Sequence, residues 1–132
     1  MIDITTVSTT ATTQVVTCNV TERLCQRYYV TSSIQPAVNV DYSIDDYKLV
    51  GTTEYVTIKA NVTITYVPTN GSHCCPKTNI FTEYFTVAFA DVTTLTTPTI
   101  TESDGIVEPD YVNCCDVAGG ISAINVVTIS IG

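Results

Sequence analysis

Two short stretches carry the residues best suited to chemistry. "NGSHCCPKTN", residues 70–79, sets His73 beside Cys74 and Cys75, and "YVNCCDVAGG", residues 111–120, holds Cys114 beside Cys115. Cys18 and Cys25 bring the total to 6 cysteines. Consecutive strand residues point to opposite faces, so adjacent thiols at a strand end diverge and each can bridge a different neighbour. A bond within one adjacent pair is strained, because a disulfide prefers Cα atoms about 5.5 Å apart and consecutive Cα atoms stand about 3.8 Å apart. Cys74, Cys75, Cys114 and Cys115 therefore read as branch points. With Cys18 and Cys25 they could join one subunit to others, pair within the monomer, or remain reduced. The connectivity stays open, since this many cysteines allow many internal pairings.

Other chemistries fit these residues less well. Structural zinc usually takes cysteines at C-x₂₋₄-C spacing, which turns both sulfurs inward; adjacent cysteines, and the wider gap from Cys18 to Cys25, fit badly. A Cys–His nucleophile would have to use His73, the single histidine, yet a sequence neighbour is seldom the spatial neighbour that activation needs. Two acidic groups, Asp41/Asp45/Asp46 and Glu102/Asp104/Glu108/Asp110, offer oxygens for calcium without the spacing of a calcium-binding loop; solvated loop charge is the plainer reading. Sequons start at Asn19, Asn61 and Asn70, as chance allows in a Thr-rich chain. No catalytic signature is present. The expectation is a protein that is not an enzyme and needs no cofactor or metal.

Charge narrows the partners. The net charge is −8, with 5 basic against 13 acidic residues, and only Arg23 and Arg27 lie near each other. A phosphate-binding surface needs clustered Lys or Arg, so nucleic acid and anionic membrane are not expected partners. The opening "MIDITTVSTTATTQVV" lacks a cationic n-region and a continuous apolar core, and no stretch reaches the ~18 apolar residues of a membrane-spanning helix. The expectation is synthesis in a cytosol without a signal peptide. Six cysteines in such a chain point to metal, redox function or later oxidation.

The elements that must position these residues are strands. The chain is 45% hydrophobic, with Tyr as 8 of its 11 aromatics, and about a fifth of it is Thr; these types suit a pleated, half-buried surface. A chain of 132 residues makes one domain that buries about two-thirds of its extended surface. Residues 3–17 carry one charge, Asp3, and no Gly or Pro. They read as an ordinary first strand, as an arm that adds to a neighbour's sheet, or as a disordered segment. "AVNVDYSI" reads as a short strand with Val38, Val40 and Tyr42 on one face. "EYVTIKANVTITYV", 54–67, alternates cleanly, with Val56, Ile58, Ala60, Val62, Ile64 and Tyr66 on one side. In "IFTEYFTVAFADV", 80–92, Glu83 interrupts the face made by Phe81, Phe85, Val87 and Phe89, which places it near a strand end. Pro98 marks an edge, "ESDGIVEPD" reads as an acidic loop, and "AINVVTISI" is the last strand. The pattern predicts an all-β fold: a single β-sandwich, Ig-like or jelly-roll-like, of about 7–9 strands. Residues 1–17 are its N-terminal arm or donor strand and residues 18–132 its body.

From about residue 46 to 131 the order of segments resembles the SPOCS domain of spore-coat proteins. The likeness is carried by "VTIKANVTITYVP", "EYFTVAFADV", "IVEPDYVNC" and "INVVTISI". The N-terminal arm and the two Cys-Cys pairs depart from that pattern and look more like the disulfide-linked subunits of endospore appendages, a likeness of arrangement rather than of matched residues. Both resemblances imply a spore-surface building block, made in the mother-cell cytosol and oxidised later, whose partners are copies of itself and other spore-surface proteins. The expected function is a self-assembling subunit of a spore coat or appendage, fibre or lattice, joined by strand addition and intersubunit disulfides. The alternative is a phage or cell-surface sandwich that binds a ligand through loops 68–79 and 102–120.

Overall fold

The computed structural model describes residues 1–31, 33–69, 76–103, 105–111 and 117–132, with the backbone alone at 25, 109–111 and 117–119. Eight strands follow one another: β1 (Ile2–Thr9), β2 (Thr13–Tyr29), β3 (Ala37–Val50), β4 (Thr53–Tyr66), β5 (Lys77–Phe89), β6 (Thr99–Glu102), β7 (Ile106–Tyr111) and β8 (Val117–Ser130). They form two antiparallel sheets. One runs β1-β2-β8, with β6 and β7 both on the far edge of β8; the other runs β3-β4-β5. The inward faces of the two sheets share one hydrophobic core, with Val16, Val20, Val127 and Ile129 from the first sheet and Val56, Ile58, Ile64 and Phe89 from the second. This is the β-sandwich that the alternating pattern predicts.

Period-two alternation survives in the structure wherever the backbone is regular. β4 buries every second residue from Glu54 to Tyr66, and β8 does the same from Ile121 to Ile129. In β3 the inward set Val38, Val40, Tyr42 and Ile44 gives way to Tyr47 and Leu49. The ladder to β4 shifts between Ile44 and Asp46, and this bulge leaves Asp45 and Asp46 both exposed. β3 and β4 meet in a two-residue loop, Gly51–Thr52. Gly51 has a φ of 64°, which the primed turns favoured in such hairpins require and which glycine adopts without strain.

Several expectations are corrected. The segment 3–17 is not one strand: it folds back at residues 10–12, so Ile2–Thr9 is an edge strand and residues 13–17 begin β2. The division at residue 17 falls inside β2, between two strand neighbours, and the body of the sandwich starts before it. The short strand at 37–44 runs on to Val50, because the bulge corrects its phase. "ESDGIVEPD" is not simply a loop, since Glu102 ends β6 and Ile106–Tyr111 is β7; acids are tolerated there because the strand lies at a sheet edge open to water. Glu83 sits in the middle of β5, not near its end. β5 is also an edge, so an inward-pointing carboxylate there can still reach the open side of the sandwich.

Candidate functional site

Cys18 is the one sequence-selected cysteine whose side chain is described. In β2, Gln14, Val16, Cys18, Val20, Glu22 and Leu24 face inward, and Cys18 lies at 0% exposure. It stands opposite Ile4 on one side and Asn125 on the other. Burial pushes its thiol up to about 11, opposed in part by a hydrogen bond with Tyr42. The Tyr42 hydroxyl donates to Asn125 Oδ1 at 3.1 Å, and Asn125 Nδ2 donates to the Ser103 carbonyl at 3.0 Å. Burial, above all, and the neighbouring thiol hold the Tyr42 phenol above its ordinary value as well. The result is a neutral, buried network. A thiol kept protonated and out of water is neither a nucleophile nor a ready disulfide partner. Of the roles the sequence left open for Cys18, this structure shows it as a buried free thiol.

The network opens on one side into a cleft of about 350 Å³ between β3 and the β6–β7 edge, lined by Asn39, Val40, Glu102, Ser103, Val107 and Asn125 among others. β6 and β7 are two halves of one interrupted edge. Glu102 pairs with Val127 and Ile106 with Ile124, so the β6–β7 side carries one residue more than β8 across the break. Ser103 holds the break in place: its N–H donates to the Val126 carbonyl at 3.0 Å and its Oγ accepts from the Val126 N–H at 3.1 Å. Gly105 has to be glycine there, since a Cβ would stand 2.6 Å from Asn125 Nδ2 and 2.7 Å from the Ile124 carbonyl oxygen. Across the cleft, Glu102 Oε2 accepts the Tyr42 N–H at 3.0 Å and so caps part of the β3 edge.

A second acidic site lies on the opposite side of the sandwich. The Met1 amino group donates to Glu22 Oε1 at 3.0 Å and to Glu83 Oε1 at 2.7 Å, bringing the start of β1 against β5. Burial and a hydrogen bond with Glu83 push the Glu22 carboxyl up to about 7, and the amino group pulls it the other way. Glu83 is held below its ordinary value by hydrogen bonds from Glu22 and the amino group. At the end of the sandwich near the 90–98 connection, fully buried Glu54 accepts from Thr96 N–H at 3.0 Å through Oε1, while Oε2 has no partner among the described residues.

β1 itself is the third feature. It has no fully buried side chain, and only its Ile2 packs partly against the core. Ile4 and Val7 are 37% and 62% exposed. Its one charge is Asp3, whereas the β3 edge carries Asp41, Asp45 and Asp46 and the β6–β7 edge carries Glu102, Glu108 and Asp110. The fourth edge, β5, carries Lys77 and the inward Glu83, so in a chain of net charge −8 β1 and β5 are the edges that a second copy can approach without juxtaposing rows of acids.

The remaining sequence-selected residues are placed as follows. Cys25 lies on β2 where its ladder to β8 is irregular, between Arg23 and Tyr28. His73, Cys74, Cys75, Cys114 and Cys115 lie outside the described residues. Asp41, Asp45 and Asp46 are exposed along β3, and the described members of the second acidic group spread along β6 and β7. Among the described residues no group of three or more His, Cys, Asp or Glu could hold a metal ion. Sequence reasoning missed the core position of Cys18, although the signal is present: Val16, Cys18, Val20 and Leu24 alternate with Thr17, Asn19, Thr21 and Arg23. Comparison with protein-family models, with curated proteins and with solved structures found no match, so the functional reading rests on these surfaces alone.

Proposed function

We propose that the chain is a self-assembling structural subunit of a spore coat or spore appendage, whose copies are joined by β-strand addition through the N-terminal segment and then fixed by disulfides. The observation that carries this reading is β1, an eight-residue edge strand, nearly uncharged, that gives almost nothing to the core of its own sandwich. Natural edges usually carry charges, prolines, bulges or short strands that block pairing; β1 carries a single aspartate and one irregularity, between Thr6 and Ser8. Strand addition supplies main-chain hydrogen bonds along the regular stretches on either side of it. Disulfides between copies then make dissociation depend on reduction, which gives kinetic resistance to heat and detergent. Cys18 is buried within the subunit, which favours Cys25, Cys74, Cys75, Cys114 and Cys115 for the cross-links.

The test is gel electrophoresis of purified protein with and without reductant, paired with deletion of residues 2–9. Ladders that collapse only under reduction, and that disappear on deletion while the strand signature in circular dichroism remains, are the expected result. A clean monomer in both lanes refutes the reading. The deletion stops at residue 9 because residues 13–17 lie in β2, between β1 and β8.

A second reading, a phage or cell-surface binding module, is favoured by the cleft of about 350 Å³ beside residues 102–107. Such a protein would stay monomeric in both lanes, and Asn39→Arg at the cleft mouth would abolish ligand capture without affecting the fold.

A further inference from the structure

β1 and β2 are joined by a hairpin whose turn the sequence does not favour. Thr10 N–H donates to the Thr13 carbonyl at 2.8 Å, so the loop proper is Ala11–Thr12. Two-residue hairpin loops favour turns with φ above zero, supplied by Gly, Asn or Asp, because other turn types splay the strands. Neither Ala11 nor Thr12 has a positive φ. The effect on the ladder is visible: Thr13 N–H donates to the Thr10 side chain, Oγ1, at 3.0 Å, where a primed turn would offer the Thr10 backbone carbonyl. The Gly51–Thr52 loop of the same protein, at 64°, shows what a specified turn looks like. The run "TTVSTTATTQVV", residues 5–16, has strand-forming composition straight through the turn. Extended, the same residues would continue β2 without any conformational penalty particular to the loop.

We propose that β1 is exchanged between copies: the Ala11–Thr12 turn opens and β1 of one chain takes the place of β1 on the β2 edge of another. The inference rests on the assembly reading above and names its interface. Complementarity in trans is already established, because the exchanged strand makes the same ladder, Ile2 opposite Val20 to Thr9 opposite Gln14, that it makes in cis. The contacts of the Met1 amino group with Glu22 and Glu83 re-form in the same way. What changes is the turn, and a short hinge loop whose residues do not specify the turn is a feature that permits such exchange. Opening it also removes little from the core, since β1 contributes only the half-packed Ile2. Reciprocal exchange closes a dimer; sequential exchange propagates a chain.

The experiment uses Thr5→Cys with Thr17→Cys, a directly opposed pair, oxidised with glutathione disulfide in the full-length assembled protein, with remaining thiols alkylated on denaturation. Two thiols are joined and one glutathione disulfide is reduced to two glutathiones. Arg23 is the first basic residue, so trypsin leaves both positions on one peptide, residues 1–23. Exchange joins separate copies of this peptide, two in a closed dimer and a series in a propagated chain, whereas closed hairpins give a single peptide bridged internally. Thr17→Cys alone measures background linkage. Joined peptides from the double variant, above that background, are the expected result. Internally bridged peptides inside intact assemblies overturn the exchange and leave the assembly reading standing; absence of any assembly removes both. As a second arm, Ala11→Asn with Thr12→Gly installs a preferred primed turn and is expected to shift the protein toward monomer by at least about tenfold. Unchanged assembly of this variant also overturns the proposal.

Discussion

Alkylation of Cys18 offers a sharp test of its place in the core, because access sets its rate. Cys18 is at 0% exposure, in a strand flanked by β1 and β8, so iodoacetamide reaches it only through opening, and in the opened chain the thiol, no longer buried, ionises as an ordinary one. An opening free energy of about 5 kcal/mol, the low end for a domain, slows the reaction by ~1,000-fold or more relative to the unfolded chain. The assay is timed alkylation with and without urea, read by mass spectrometry of the residue 1–23 peptide, with the Thr17–Arg23 fragment ions used to assign the site. Cys18 should stay unmodified natively over times that label it completely in urea. Tyr42→Phe should accelerate native labelling, because it leaves buried Asn125 Oδ1 without its donor, a loss of about 1–3 kcal/mol that makes opening easier. Native labelling at the urea rate, or recovery of Cys18 in a disulfide with another chain, would refute the assignment of this residue to the core.

Two further expectations follow from the polar sites. The Glu22 carboxyl, pushed up to about 7 from an ordinary 4.5, binds its proton more tightly in the folded than the unfolded state, so its contribution favours folding at low pH and is lost as pH rises from about 4.5 to about 7; Glu83, held low, contributes in the opposite sense and only below that window. The urea midpoint should therefore be higher near pH 5 than near pH 7.5, and Glu22→Gln should flatten the difference; a midpoint that climbs over this range rejects the assignment. Gly105→Ala places a Cβ 2.6 Å from Asn125 Nδ2 and 2.7 Å from the Ile124 backbone oxygen. Because one of these is backbone, the β6–β7 break must shift at a cost of about 1–3 kcal/mol, lowering Tm by several degrees; an unchanged Tm would show that the break is not held as described.

How much was legible depends on whether local geometry or long-range pairing sets the feature. The alternation in 54–67 and 123–131 was readable because a strand's side chains take opposite faces whatever the strand pairs with. The acidic segment 102–110 was misread because its strand is held by pairing with β8 rather than by its own composition, and its bulge is fixed by Ser103 and Gly105 against Asn125 and Val126. Glu83 was displaced toward a strand end because an inward carboxylate is unwelcome in a central strand, and nothing local to "FTEYFTV" says that this strand is an edge.

The residues alone thus determined that the chain makes strands, which faces of the longest ones turn inward, and that the product is a sandwich, since each follows from a two-residue period and a side chain's solubility. Only the tertiary structure decided that residues 2–9 fold back on β2, that Cys18 is buried beneath Tyr42 and Asn125, and that β1 is an edge strand giving almost nothing to the core. Those outcomes depend on which strands become neighbours across the sheets, with Tyr42 meeting Asn125 from 83 positions away. Pairing over such distances is chosen by the packing of the whole core, which no short window of sequence contains.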